Sequence, residues 1–117
     1  MTRTIAVFAF LLLIGSGRLP AINVYEVKIP SRADVSVYLT EQEYQADVRV
    51  YKSTYASDGA SNSELTWYFT NFESRAKIKV YFTRTSREAD LIVFYVDRLY
   101  KAGWIHENKR PSLSGQQ

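Results

Sequence analysis

Three aspartates, Asp34, Asp47 and Asp90, each follow an alanine and precede Val or Leu. Carboxylates at matching places in a chain could hold calcium or form an acid/base pair. With Asp97 they make up the acidic set on which a small secreted hydrolase or antibacterial effector would draw. That chemistry requires two of them to converge and one to have a raised pKa. Calcium sites, however, gather their oxygen ligands within one loop, whereas these aspartates are spread along the chain. At the corresponding places elsewhere stand Ala60, Lys77 and Gly103. The expected role is therefore structural: an ion pair or turn bond, with Arg49 or Lys79 as the basic partner. His106 stands beside a polar tail with no Ser or Cys partner pattern and reads as a solvent-exposed residue. No nucleophile elbow, phosphate loop or metal-ligand cluster occurs. No catalytic residue, metal or cofactor is expected.

Tyrosine offers a second kind of chemistry. Tyr25, Tyr38, Tyr51, Tyr68 and Tyr81 recur after Val or Trp and would line one face. A row of rings can stack on sugars or bind protein, but an aromatic recurring at a fixed place more commonly packs one unit on the next. Tyr44, Tyr55 and Tyr100 fall instead in connections. They are the candidate ligand-binding residues.

The elements that must position these residues come from a repeat. Six units follow one another: VYEVKIPSRADVS from Val24, VYLTEQEYQADVR from Val37, VYKSTYASDGASN from Val50, WYFTNFESRAKIK from Trp67, VYFTRTSREADLI from Val80 and VFYVDRLYKAGWI from Val93. The period is thirteen residues, broken by an insertion from Ser63 to Thr66. Such self-similarity signals repeated architecture. Val and an aromatic open nearly every unit, Ala stands tenth, and Val, Ile or Leu is mostly twelfth. These residues favour a pleated surface, and the polar fifth to ninth positions form the connection. Seven short strands are expected, at about 22–28, 33–40, 46–53, 65–70, 76–83, 89–96 and 102–105. Alternation puts Ala46, Val48 and Val50 on a core face and Asp47, Arg49 and Tyr51 on a mixed, partly buried one. The fold class is all-β, since no stretch after residue 22 keeps a helical period.

The N-terminus reads differently. Arg3, the apolar run Ile5 to Ile14, and then Gly15-Ser16-Gly17 and Leu19-Pro20-Ala21 have the layout of a signal peptide. The run is shorter than the roughly 20 apolar residues that span a bilayer. Residues 1–21 are assigned to that segment, with cleavage after Ala21 as first choice and after Gly17 as second. Residues 22–107 form one β domain with no integral membrane segment, and 108–117 are expected to be a disordered polar tail. The mid-chain stretch Ser57 to Ser63 is expected as a surface loop. The chain has 117 residues, fifteen Lys and Arg, twelve Asp and Glu, and no cysteine. Two of the bases, Arg3 and Arg18, precede residue 22, which leaves 13 bases against 12 acids beyond it. Bulk charge gives no support to a nucleic-acid partner. Without disulfides, packing must hold the body, and nine Tyr, four Phe and two Trp after residue 21 supply the area.

Val37-Tyr38-Leu39-Thr40, Tyr44-Gln45-Ala46-Asp47 and Lys101-Ala102-Gly103-Trp104, with Ser86-Arg87-Glu88-Ala89-Asp90 in weaker form, resemble the septoil-knot domain family of small exported bacterial proteins. The resemblance covers roughly residues 24–105. Lys77 departs from the family pattern where Asp is usual, and Arg75 and Arg87 where Tyr or Gln would stand. The resemblance implies a backbone wound into a seven-crossing knot, and export to the periplasm or outside. It would also explain Ala46, Ala76, Ala89 and Ala102 as small residues where segments cross, the alternative being that Ala simply begins each strand. It carries no activity or catalytic residues. The expected function is a non-enzymatic structural or interaction domain binding an envelope protein or a glycan. Its oligomeric state is open.

Overall fold

Valines two apart, with rings or polar residues between them, suit strands that bury one face. In the computed structural model, which describes residues 19–55, 59–60 and 63–114, they do form strands. β2 is Ile22–Glu26, β3 Val35–Leu39, β4 Val48–Lys52, β6 Thr66–Phe69, β7 Ile78–Phe82, β8 Leu91–Val96 and β9 Gly103–Trp104. These seven correspond to the expected ones. Two further short strands, β1 (Leu19–Pro20) and β5 (Gly59–Ala60), pair antiparallel with each other. Most of the apolar N-terminal segment, residues 1–18, lies outside the described residues, as do residues 56–58, 61–62 and 115–117.

The large sheet has the order β6-β2-β7-β3-β8-β4-β9, and β4 also pairs with β6. Six strands thereby close into a ring, all pairing in parallel, while β9 lies antiparallel beside the start of β4. Strands from the first half of the chain (β2, β3, β4) alternate around the ring with strands from the second (β6, β7, β8). Within each half, strands joined by one connection are thus separated by a strand of the other half.

Parallel strands usually need a crossover of a dozen or more residues, yet β2 and β3 are joined by residues 27–34 alone. The register explains this economy. Glu26, ending β2, and Val35, opening β3, flank the same residue of β7, Val80. Leu39 and Val48 likewise flank Val93, Phe69 and Ile78 flank Val24, and Phe82 and Leu91 flank Val37. Each of these four connections hops over one strand, about 10 Å at two strand spacings, rather than returning along a strand's length.

Both feet of the hop are gripped by main-chain bonds. On leaving, Val27, Thr40, Thr70 and Thr83 donate N–H to the carbonyls of Val80, Val93, Val24 and Val37 at 2.8–3.0 Å. On landing, Asp34, Asp47, Lys77 and Asp90 donate to the carbonyls of Lys79, Ile92, Asn23 and Ser36 at 2.7–2.8 Å. The crests are single 3-10 turns at Pro30–Arg32, Glu43–Gln45, Glu73–Arg75, Ser86–Glu88 and Leu99–Lys101, none containing a buried residue. The alanines close these turns: Ala33, Ala46, Ala76, Ala89 and Ala102 donate N–H three residues back at 3.1–3.2 Å. β3, β4, β7 and β8 therefore begin two residues later than expected, because the Ala N–H is held by the turn and the first ladder residue is the Val, Ile or Leu that follows.

Inside the ring, Val24, Val35, Val37, Val48, Val50, Ile78, Val80, Leu91 and Val93 form the core with Leu65 and Trp67. The aliphatic face is the buried one, as alternation requires, and Arg49 and Tyr51 are half-buried. Leu65 and Thr66, at the end of the insertion, are fully buried. The region expected to be a tail is folded up to Ser114: Glu107–Lys109 makes a 3-10 turn and Pro111–Ser114 a short helix. Polar composition concealed one anchor, since Leu113 is only 4% exposed and belongs to the core.

Candidate functional site

The three aspartates do not converge as an acidic site. Each lands beside a different strand, and its carboxylate is engaged there by main chain. Asp34 Oδ2 accepts the N–H of Lys79 at 2.8 Å, Asp47 Oδ2 that of Ile92 at 2.9 Å, and Asp90 Oδ2 that of Ser36 at 3.0 Å. The same residue that gives its carbonyl to the aspartate N–H thus gives its N–H to the aspartate side chain. A charge-assisted bond of this kind satisfies an N–H at the hop's landing foot, where no ladder partner is yet available. The ion pairs expected with Arg49 and Lys79 are absent among the described residues: Lys79 contributes its main chain, and Arg49 turns to Glu43. Where Lys77 replaces the acid, Asn23 reverses the bond, its Nδ2 donating to the Arg75 carbonyl at 3.2 Å.

Asp47 does more than its counterparts. Its carbonyl accepts the N–H groups of Ile105 and His106, both at 2.9 Å, and His106 Nδ1 lies 2.9 Å from Oδ1. His106 is exposed but partnered, which its position beside a polar stretch did not indicate. It ties the C-terminal segment to the ring. Glu64 provides a second tie, accepting from Trp104 Nε1 at 3.0 Å and Arg110 Nε at 3.1 Å, with the Arg110 guanidinium 5.7 Å from the Trp104 ring.

The crests offer what the feet do not. Arg32 pairs with Glu73, bridging the turns Pro30–Arg32 and Glu73–Arg75. The turns Glu43–Gln45 and Leu99–Lys101 instead border a groove of about 610 Å³, lined by Glu43, Arg49, Phe94, Tyr95, Val96, Asp97 and Lys101. Its charges are paired within each side: Arg49 Nε to Glu43 at 2.5 Å, and Lys101 Nζ to Asp97 at 3.2 Å. Lys101, by hydrogen bond first and charge second, holds the Asp97 carboxyl below the usual carboxylate range. Burial pushes the Tyr95 phenol well above its ordinary range, with the Glu26 carboxylate adding to the shift, so the groove presents a neutral phenol.

None of the three candidate tyrosines lines this groove, but Tyr44 follows Glu43 and Tyr100 precedes Lys101 in the chain, each next to a lining residue. They are 78% and 81% exposed. Tyr55 is also exposed, but follows β4 and has no residue of the groove next to it in the chain. Tyr25, Tyr38, Tyr51, Tyr68 and Tyr81 are half-buried, as a packing role requires. The sequence singled out Arg49 and Asp97 for other roles and did not show the groove, because its two sides lie about 45 to 58 positions apart and meet only through the pairing of β4 with β8.

No curated protein and no solved structure matches this chain. Residues 21–105 match the family described as the 7(1) septoil knot domain. That match takes in the whole parallel ring, the five crest turns and the groove. The chain belongs to the septoil-knot domain family.

Proposed function

We propose that this protein is an exported, non-enzymatic interaction domain that binds a glycan or a protein in the cell envelope or outside it. The binding face is the groove between the turns Glu43–Gln45 and Leu99–Lys101. The observation that carries this reading is the pair Tyr44 and Tyr100, both mostly in solvent and each next in the chain to a residue of a groove whose acids and bases are matched. A charge-balanced groove lined by Phe94 and Tyr95, with two exposed tyrosines on the adjoining turns, suits a neutral chain of sugars, whose C–H faces stack on aromatic surfaces. A glycan is therefore the first ligand to test. The carboxylates that a hydrolase would need are engaged by main-chain N–H groups, and Asp97 is shifted toward ionisation rather than protonation. Export is supported by Arg3 and the Ile5 to Ile14 run, with the family match opening just beyond them.

The test is retention of envelope polysaccharide and envelope protein fractions by the immobilised mature protein. The double variant Tyr44→Ala/Tyr100→Ala should bind at least about tenfold more weakly, as loss of exposed aromatic anchors does. Undiminished binding by the double variant, or retention of nothing by the unaltered protein, would remove the groove as the site.

The winding is proposed to be the seven-crossing knot that the family's name describes. Its support is the interleaving of the two chain halves, each connection within a half passing over a strand of the other half. Single-molecule stretching from both ends should stop short of the full contour length of about 3.3–3.6 Å per residue, by the chain trapped in the tightened knot. Extension to the full contour would show an unknotted chain.

A further inference from the structure

The start of the described chain is used by the fold. Leu19 pairs with Ala60 and Pro20 with Gly59, giving the β1–β5 ladder. Ala21 is 7% exposed. Ile22 follows, opposite the fully buried Trp67, and packs against the core. Removing residues up to Ala21 would strip β5 of its partner and delete a buried residue. It would also set a new α-ammonium group on Ile22, beside apolar surface that disfavours charge. The family match, which opens at residue 21, would lose its first position.

A signal peptidase reads an extended chain with small residues at the third and first positions before the cut. For a cut after Ala21 the third position is Leu19, which is too large. For a cut after Gly17 the two positions are Gly15 and Gly17, directly beyond the apolar run that ends at Ile14. We propose that the mature protein begins at Arg18, released by signal-peptidase hydrolysis of the Gly17–Arg18 bond. The oxygen of water goes to the Gly17 carbonyl carbon and the proton to the Arg18 nitrogen, with no oxidant or reductant. The segment Leu19 to Ala21 then remains as part of the folded domain. This inference rests on the export reading above.

The test is to express the full 117-residue chain in an exporting bacterial host and to read the intact mass and first residues of the purified protein. A chain starting at Arg18 is expected. A chain starting at Ile22 would overturn the assigned bond while leaving export standing, and one still starting at Met1 or Thr2 would overturn both. Two variants sharpen the reading at the level of processing, before folding intervenes. Gly17→Leu should accumulate precursor, whereas Ala21→Leu should be cut at the same bond as the parent; the opposite pattern would contradict the proposal. Protein starting at Arg18 should also melt at least about 4 °C higher than protein starting at Ile22, and equal melting would argue against a structural use for residues 18–21.

Discussion

The feet of each hop and its crest are separated by only a few residues, yet they use side chains in opposite ways. At the feet, Asp34, Asp47 and Asp90 turn their carboxylates onto main-chain N–H groups of the neighbouring strand, and Thr40 and Thr70 accept the N–H two residues on at 3.0 and 3.1 Å. At the crests, Tyr44 and Tyr100 project into solvent and the nearby ions pair across the surface. The residue types shared among hops close hydrogen bonds that the winding requires. Those that differ from crest to crest are free to meet a partner. In a chain built this way, recurrence marks architecture and departure from recurrence marks where function can lie.

Four outcomes would break or sharpen that contrast. The largest concerns the core beneath the feet. Trp67 is fully buried and its Nε1 donates to the Glu64 carbonyl at 2.9 Å. Trp67→Ala should cost about 3–5 kcal/mol in chemical denaturation, and a loss under 1 kcal/mol would mean that the ring is not packed around it. Next comes the C-terminal anchor. Leu113→Ala should cost about 2 kcal/mol and release the amides of residues 107–114 to fast hydrogen exchange, whereas no change in either would return this segment to the unfolded tail its composition suggested. The smallest effect lies on a crest. Asp97 is mostly exposed, and its carboxyl is lowered by Lys101. A group lowered on folding contributes stability above its unfolded pKa, about 3.9 for Asp, and loses that contribution as pH falls through the folded value. The contact should therefore persist at neutral pH and weaken only in acid. Lys101→Met should raise the NMR titration midpoint of Asp97, and an unmoved midpoint would separate the two side chains.

How much of this was legible in the sequence follows from the range of each interaction. The recurring Val positions announced strands and the correct buried face, because alternation is a local property. The parallel ring was not legible, since its register joins Val80 to Glu26 and to Val35, positions far apart in the chain. Alanine was read as a strand start, because nothing local distinguishes the end of a 3-10 turn from the beginning of a strand in an Ala-Asp-Val sequence. Leu113 went unseen as a lone apolar residue among polar ones, and so did the contact of His106 with Asp47 across fifty-nine positions. At the candidate site, Tyr44 and Tyr100 stood out by lying in connections. The groove next to their turns did not, because it exists only once β4 and β8 are side by side.

The fourth outcome is also the most direct test of the contrast: the unfolding free energies of Asp47→Ala and Tyr44→Ala, measured side by side. Asp47 has a side chain only 8% exposed and holds the Ile92 N–H and His106. Its loss should cost about 1–3 kcal/mol, while Tyr44→Ala, on the adjoining crest, should stay within about 0.5 kcal/mol of the parent. Equal costs, or a larger cost at Tyr44, would contradict the assignment of the feet to architecture and the crests to recognition.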